Sequence, residues 1–288
     1  MREGTNVGRR TRPAVIGGIA LSAVMLSQVA LVSPAMAVTG LTRTVGTSAS
    51  NSVAKSANAP CATGTTVIGG GGFVTGAAGQ VGMDIMLPLW DGTGFSVTGR
   101  EDETGTSANW SVTSTALCAP APSGFQVMSG STGFASNATD WVTVSCPLGT
   151  VALGVGGAVN GASNSEVVLE QLRIDTSSVT VGGAEDGTGY AGNWQVQGRA
   201  MCANQPAGYE RLLTDSAYDS VSPKSLTLSC SPGKKVHGVG AEILGGDGQV
   251  RLTGAYASSS TAVTVSAAED EDGYSSTWKV RAFAICAT

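Results

Sequence analysis

Only one histidine, His237, is present in this 288-residue chain. Any Ser–His or Cys–His nucleophilic pair would therefore depend on that residue. It stands where the corresponding parts of the chain carry Ile68 and Leu153. A slot otherwise filled by aliphatics marks a substitution in a packed strand, not a general base. Closely spaced cysteines are also missing. No two of the six lie nearer than 28 residues apart, which excludes the short ligand spacing of a structural zinc site. Charge is sparse at 13% of residues, and basic groups are outnumbered, 16 against 21 acidic. An acidic, lysine-poor chain repels phosphate backbones, so nucleic acid is not an expected partner. No basic amphipathic stretch points to a membrane surface. The run Gly69–Gly72 lacks the lysine and helix that follow a phosphate-binding loop. Neither catalytic residues nor a cofactor are expected.

The chain does carry a targeting pattern at its start. Arg2, Arg9, Arg10 and Arg12 precede an apolar run from Ala14 to Val32, then Pro34 and the small-residue site Ala35-Met36-Ala37. This pattern predicts a general secretory signal over residues 1–37, with no membrane insertion after its removal. Arg9-Arg10 is followed by Thr11, Arg12 and Pro13 where a twin-arginine signal wants apolar residues. Without residues 1–37, basic groups fall from 16 to 12 and acidic groups from 21 to 20, a net charge of −8. Six cysteines in an exported chain imply disulfides.

The remainder is written three times. Cys61 to Cys118 spans 57 residues; Cys146 to Cys202 and Cys230 to Cys286 each span 56. Glycine recurs at the third, eighth and tenth positions after each first cysteine: Gly64, Gly69 and Gly71; Gly149, Gly154 and Gly156; Gly233, Gly238 and Gly240. An acidic pair lies nine residues before a Trp, which lies eight before the second Cys, in every copy. This is an internal triplication with units 38–119, 120–203 and 204–288. Pairing each first cysteine with the second of its own copy is the only scheme that treats the copies alike.

Short β-branched runs separated by Gly, Asp and Asn turns predict an all-β fold. In the last strand of copy two, Trp194, Val196, Gly198, Ala200 and Cys202 share the inward face. The preceding strand carries Val179, Val181, Gly183 and Glu185 in one phase. We expect these two strands to form a hairpin, with Glu opposite Trp and the turn at Gly105, Gly189 or Gly273. The indole should then lean over the small residue Gly99, Gly183 or Ala267. The eighth and tenth glycines leave one strand face bare, to be filled by the Trp or by another sheet.

The acidic pairs admit two readings. In one, the Glu accepts hydrogen bonds from loop amides or the indole N–H, and an outward-pointing Asp braces the turn. In the other, Glu101, Asp102, Glu269 and Asp270 supply hard oxygens to Ca²⁺. Copy two is thin for calcium, with Glu185 and Asp186 followed by Gly187. Tyr190, Tyr274, Trp90 and Trp141 are the candidate aromatic platforms for a ligand.

"CPLGTVALGVGG" from Cys146 and "NWQVQGRAMCA" from Asn193 resemble a repeat of secreted actinobacterial proteins, a family with no activity to carry over. More weakly, Cys-Pro with Gly at the third and eighth positions resembles the vitelline membrane outer layer proteins. That resemblance implies a β-prism, three sheets about a pseudo-threefold axis. Tandem sandwiches of about six strands each are the alternative for units of about 84 residues. The expected function is non-catalytic binding of an extracellular glycan or cell-surface polymer. A structural, surface-assembly role is the alternative, and a secreted hydrolase or inhibitor comes third.

Overall fold

The computed structural model describes residues 1, 36–77, 79–162 and 166–288. The expected signal segment lies almost wholly outside them. The described residues contain eighteen strands and no helix long and apolar enough to cross a membrane. In copy one these are β1 (Thr42–Thr47), β2 (Lys55–Pro60), β3 (Thr66–Thr75), β4 (Val81–Pro88), β5 (Gly94–Glu101) and β6 (Ser111–Ala119). Copy two gives β7 (Gln126–Ser131), β8 (Thr139–Ser145), β9 (Thr150–Asn160), β10 (Val167–Ile174), β11 (Ser178–Glu185) and β12 (Gln195–Asn204). Copy three gives β13 (Glu210–Asp215), β14 (Lys224–Ser229), β15 (Lys235–Leu244), β16 (Val250–Ala257), β17 (Ala262–Glu269) and β18 (Lys279–Ala287).

These strands form three six-stranded sheets in a pseudo-threefold arrangement. Sheet I has the order β1-β6-β3-β16-β17-β14, sheet II β2-β5-β4-β9-β12-β7, and sheet III β13-β18-β15-β10-β11-β8. No sheet belongs to one copy. Each copy places its first, sixth and third strands in one sheet and its second, fifth and fourth in the next. The two half-sheets of a copy pack face to face over a shared core. Their inner edges join half-sheets from the other copies, through β3–β16, β4–β9 and β10–β15. The arrangement is prism-like, yet each corner has the two-layered core of a sandwich.

This corrects the expected hairpin. β5 and β6 lie in different sheets, as do β11 with β12 and β17 with β18. Both edges of β6 are already occupied, by β1 and β3, and both edges of β5 by β2 and β4. Glu and Trp, expected to face each other along a ladder, meet across the core instead. Ser114 Oγ donates to the Phe95 carbonyl at 2.8 Å, and a Cβ on Gly99 would stand 2.8 Å from a Val112 methyl. Packed sheets stand about 10 Å apart, a gap that needs a large filler. Trp110, Trp194 and Trp278, all buried, supply it. A Cβ on Gly99 or Gly183 would stand 3.0 or 3.3 Å from the indole Cζ3 beneath it, so the ring does lean over that gap.

The glycines after each first cysteine have two different jobs. The third one sits at the penultimate position of a tight turn, in which Thr65, Thr150 or Lys234 donates back to Ala62, Pro147 or Ser231. There φ is +83°, +84° and +83°, a region that L side chains avoid. The eighth ones meet backbone. A Cβ on Gly69 would collide with the His237 carbonyl, one on Gly238 with that of Leu153, and one on Gly154 would lie 2.7 Å from that of Ile68. The cycle closes through all three copies, so β3, β9 and β15 touch main chain to main chain. Ile68, Leu153 and His237 are the extra residues of equivalent β-bulges, and all three are buried. Burial lowers the pKa of His237. What fills the bare glycine face is thus neighbouring backbone, not the Trp.

Candidate functional site

The three repeated acidic pairs are built into the core. Indole Nε1 donates to the Glu carboxylate in every copy: Trp110 to Glu101 at 2.6 Å, Trp194 to Glu185 at 3.0 Å, and Trp278 to Glu269 at 2.7 Å. The Asp braces its turn, accepting the amides of Gly105, Gly189 and Gly273 at 2.9, 3.0 and 3.1 Å. Asp102 and Asp186 are buried, not outward, because each carboxylate folds back onto its own turn. Burial, with the neighbouring Glu271 carboxyl, pushes Asp102 up to about 6, and burial does the same to Asp270. Among the described residues no group of three His, Cys, Asp or Glu is placed to hold a metal ion. The calcium candidates Glu101, Asp102, Glu269 and Asp270 are spent on indoles and turn amides. Cys61–Cys118, Cys146–Cys202 and Cys230–Cys286 are bonded, each within one copy.

The four candidate aromatics do not converge. Tyr190 donates its hydroxyl to the Gly161 carbonyl at 2.9 Å, and Tyr274 donates to Asp247 at 2.5 Å, so each ring pins its turn to a neighbouring loop. Trp90, in the β4–β5 loop, lies 3.4 Å above the buried Arg199 guanidinium, which donates to the Pro88 carbonyl. Its other face is open, leaving the residue 74% exposed. Trp141 is 64% exposed on β8, at an edge of sheet III. Strand alternation turns its neighbours Val142 and Val144 inward, against Gly130 and Gly198.

Trp141 begins a line that runs straight across sheet III. Directly opposed residues on the six strands are Trp141, Gly182, Gln171, Glu242, Arg281 and Asp215. Opposed residues share a face, so all six lie on the side away from the core. Gln171 donates to Glu242 at 2.5 Å, and Arg281 approaches the other Glu242 oxygen at 3.4 Å. Arg281 also grips Asp215 through two bonds of 2.6 and 2.9 Å, and Lys279 adds a third at 2.6 Å. Hydrogen bonding from Arg281 and Lys279 holds Asp215 down to about 2. Gly182 has no side chain, and Gln171 leans over it: a Cβ there would stand 3.2 Å from the Gln171 Oε1.

The same line differs on the other sheets. On sheet II it reads Ser56, Thr98, Ile85, Ala158, Gln197, Ser131; on sheet I it reads Ser225, Ser266, Gly254, Phe73, Thr113, Thr47. Along this line, charge and an exposed indole occur only on sheet III. Of its line, sequence reasoning singled out Trp141 alone. Aligning the copies would have flagged Glu242 against Ala158 and Phe73, and Arg281 against Gln197 and Thr113. It would not have put Gln171 of copy two beside Glu242 of copy three. No protein-family model matches this chain, and no curated protein matches it.

Proposed function

We propose that this is a secreted, non-catalytic protein that binds an extracellular glycan or cell-surface polymer across the outer face of sheet III. The observation that carries the reading is the break in pseudo-threefold symmetry there. An exposed indole lies beside a side-chain-free position, in line with an amide, a carboxylate, a guanidinium and a second carboxylate. A flat apolar ring suits the C–H face of a sugar, and the polar row suits its hydroxyls. Five strand spacings of roughly 4.8 Å make the row about 24 Å long, a length fitting an extended polymer. Three within-copy disulfides and the absence of a membrane-spanning helix among the described residues accord with an extracellular setting. The repeated Glu residues are committed to indole hydrogen bonds, which supports a non-catalytic reading.

The test is a binding screen against glycans and cell-wall polysaccharides, using the parent and Trp141→Ala. Trp141 is exposed, so the variant should melt like the parent and bind at least about tenfold more weakly. Trp90→Ala, on sheet II, should bind normally. No saccharide binding by the parent, or equal binding by Trp141→Ala, would overturn the reading and leave surface assembly as the better account.

A further inference from the structure

We propose that a slot on the outer face of sheet I is a binding pocket for a small, neutral, amphipathic molecule, with one hydroxyl or carbonyl end on a compact hydrocarbon body. The argument is again one of broken symmetry. Each fourth strand has a bulge, at Asp84, Glu170 or Thr253. Near it on the fifth strand stands the residue before the indole-bonded Glu, which is Arg100, Ala184 or Ala268. On sheet II this spot holds the Asp84–Arg100 ion pair at 2.5 Å. On sheet III it holds the Glu170 carboxyl, which accepts the Gly248 amide at 3.0 Å. On sheet I both residues are short, Thr253 and Ala268, and a cavity of about 380 Å³ is present.

The walls define the ligand. Val74, Val81, Pro223 and Ala268 make them apolar. Three hydroxyls, of Ser225, Thr253 and Ser266, supply the polar contacts, and Thr253 already donates to Ser266 at 3.0 Å. Among the described residues no carboxylate lines the cavity. Lys224 does, but its ammonium is paired with Asp219 and lies 4.5 Å from the Trp278 ring centroid. With that cation neutralised, the pocket has no counter-charge to offer an ionic ligand. At roughly 30 Å³ per water, the volume equals about a dozen waters, at the small end of ligand sites. Walls from two copies meet here, Val74, Gly76, Ala77 and Val81 from the first and the remaining lining residues from the third, so the cavity is a product of the copies' association.

The copies themselves suggest the test. Thr253→Asp with Ala268→Arg installs in the slot the ion pair that sheet II already accommodates. Ala268→Leu is a milder filling variant. Ligand-observed NMR and calorimetry would use cyclohexanol and n-octanol as neutral probes and octanoate as the charged comparator. The parent should bind the alcohols saturably and octanoate at least about tenfold more weakly. Each filling variant should lose about tenfold or more in alcohol affinity, while Trp141→Ala should keep it, separating this site from the saccharide face. No saturable binding of either alcohol by the parent, equal affinity for octanoate, or an unchanged affinity in Ala268→Leu would each overturn the assignment. If the ion-pair variant does not fold, Ala268→Leu alone decides.

Discussion

Trp110 Nε1 and the Glu101 carboxylate are joined by a 2.6 Å hydrogen bond that crosses from sheet I to sheet II. Eight residues, 102–109, separate the two in sequence. The bond fastens the two half-sheets of copy one where their chain passes between them, and the other copies repeat it.

Removing that acceptor should therefore cost stability, with no effect on ligand binding. Glu101→Ala leaves a buried indole N–H without its carboxylate and should cost about 2–3 kcal/mol. Glu185→Gln retains a neutral acceptor and should cost about 1 kcal/mol, or about 2–4 °C in Tm for a protein of this size. Thermal melts of both variants check this. An unchanged Tm in Glu101→Ala would mean the bond is dispensable.

Glycine substitutions should separate sharply by location. Gly238→Ala drives a Cβ into the Leu153 carbonyl where three copies meet, and neither main chain can move alone. The variant should be destabilised by more than about 4 kcal/mol or fail to accumulate. Gly233→Ala meets nothing within 4 Å and bears only the left-handed backbone cost, about 1–2 kcal/mol. Urea unfolding of the pair measures the contrast.

Stability should fall as the pH rises from about 4 to about 7. Burial, aided by the charge of Asp247, pushes Glu170 up to about 7, although the Gly248 amide favours its carboxylate. A raised folded-state pKa means the contribution is complete below about 4.5 and lost as pH rises through about 7. Asp84, Asp102 and Asp270, at about 6, act in the same direction. Asp215 opposes them only in strong acid: its contribution is present above about 3.8 and disappears as pH falls through about 2. Glu170→Gln, which cannot ionise but can still accept the Gly248 amide, should match the parent near pH 4. Near pH 8 it should exceed the parent by up to about 3 kcal/mol. Equal unfolding midpoints at both pH values would contradict the assignment.

The disulfides should act independently. Each closes a loop of 56 or 57 residues, worth about 4 kcal/mol in the chain-entropy model. Replacing Cys146 and Cys202 by Ser should lower stability by about that amount and leave the other two bridges intact on non-reducing peptide mapping.

The Glu–Trp and Cys–Cys contacts inside each copy were readable in the sequence. Fixed offsets bring Glu to Trp and Cys to Cys, because eight residues of turn or a tripled spacing leave few other partners. Strand alternation, likewise, assigns Trp194 and Val196 to the core face. Alternation names a face but not the strand alongside, which is why β5 and β6 were expected to pair and instead pack across the core. The joins β3–β16, β4–β9 and β10–β15 link residues far apart in the chain, and three near-identical copies present three near-identical edges to choose among. Only the closure of the glycine strands against each other's carbonyls selects the partners. That choice puts Gln171 beside Glu242 and leaves a cavity beside Thr253, so both candidate sites arise from the tertiary structure, while the units that carry them were already written in the chain.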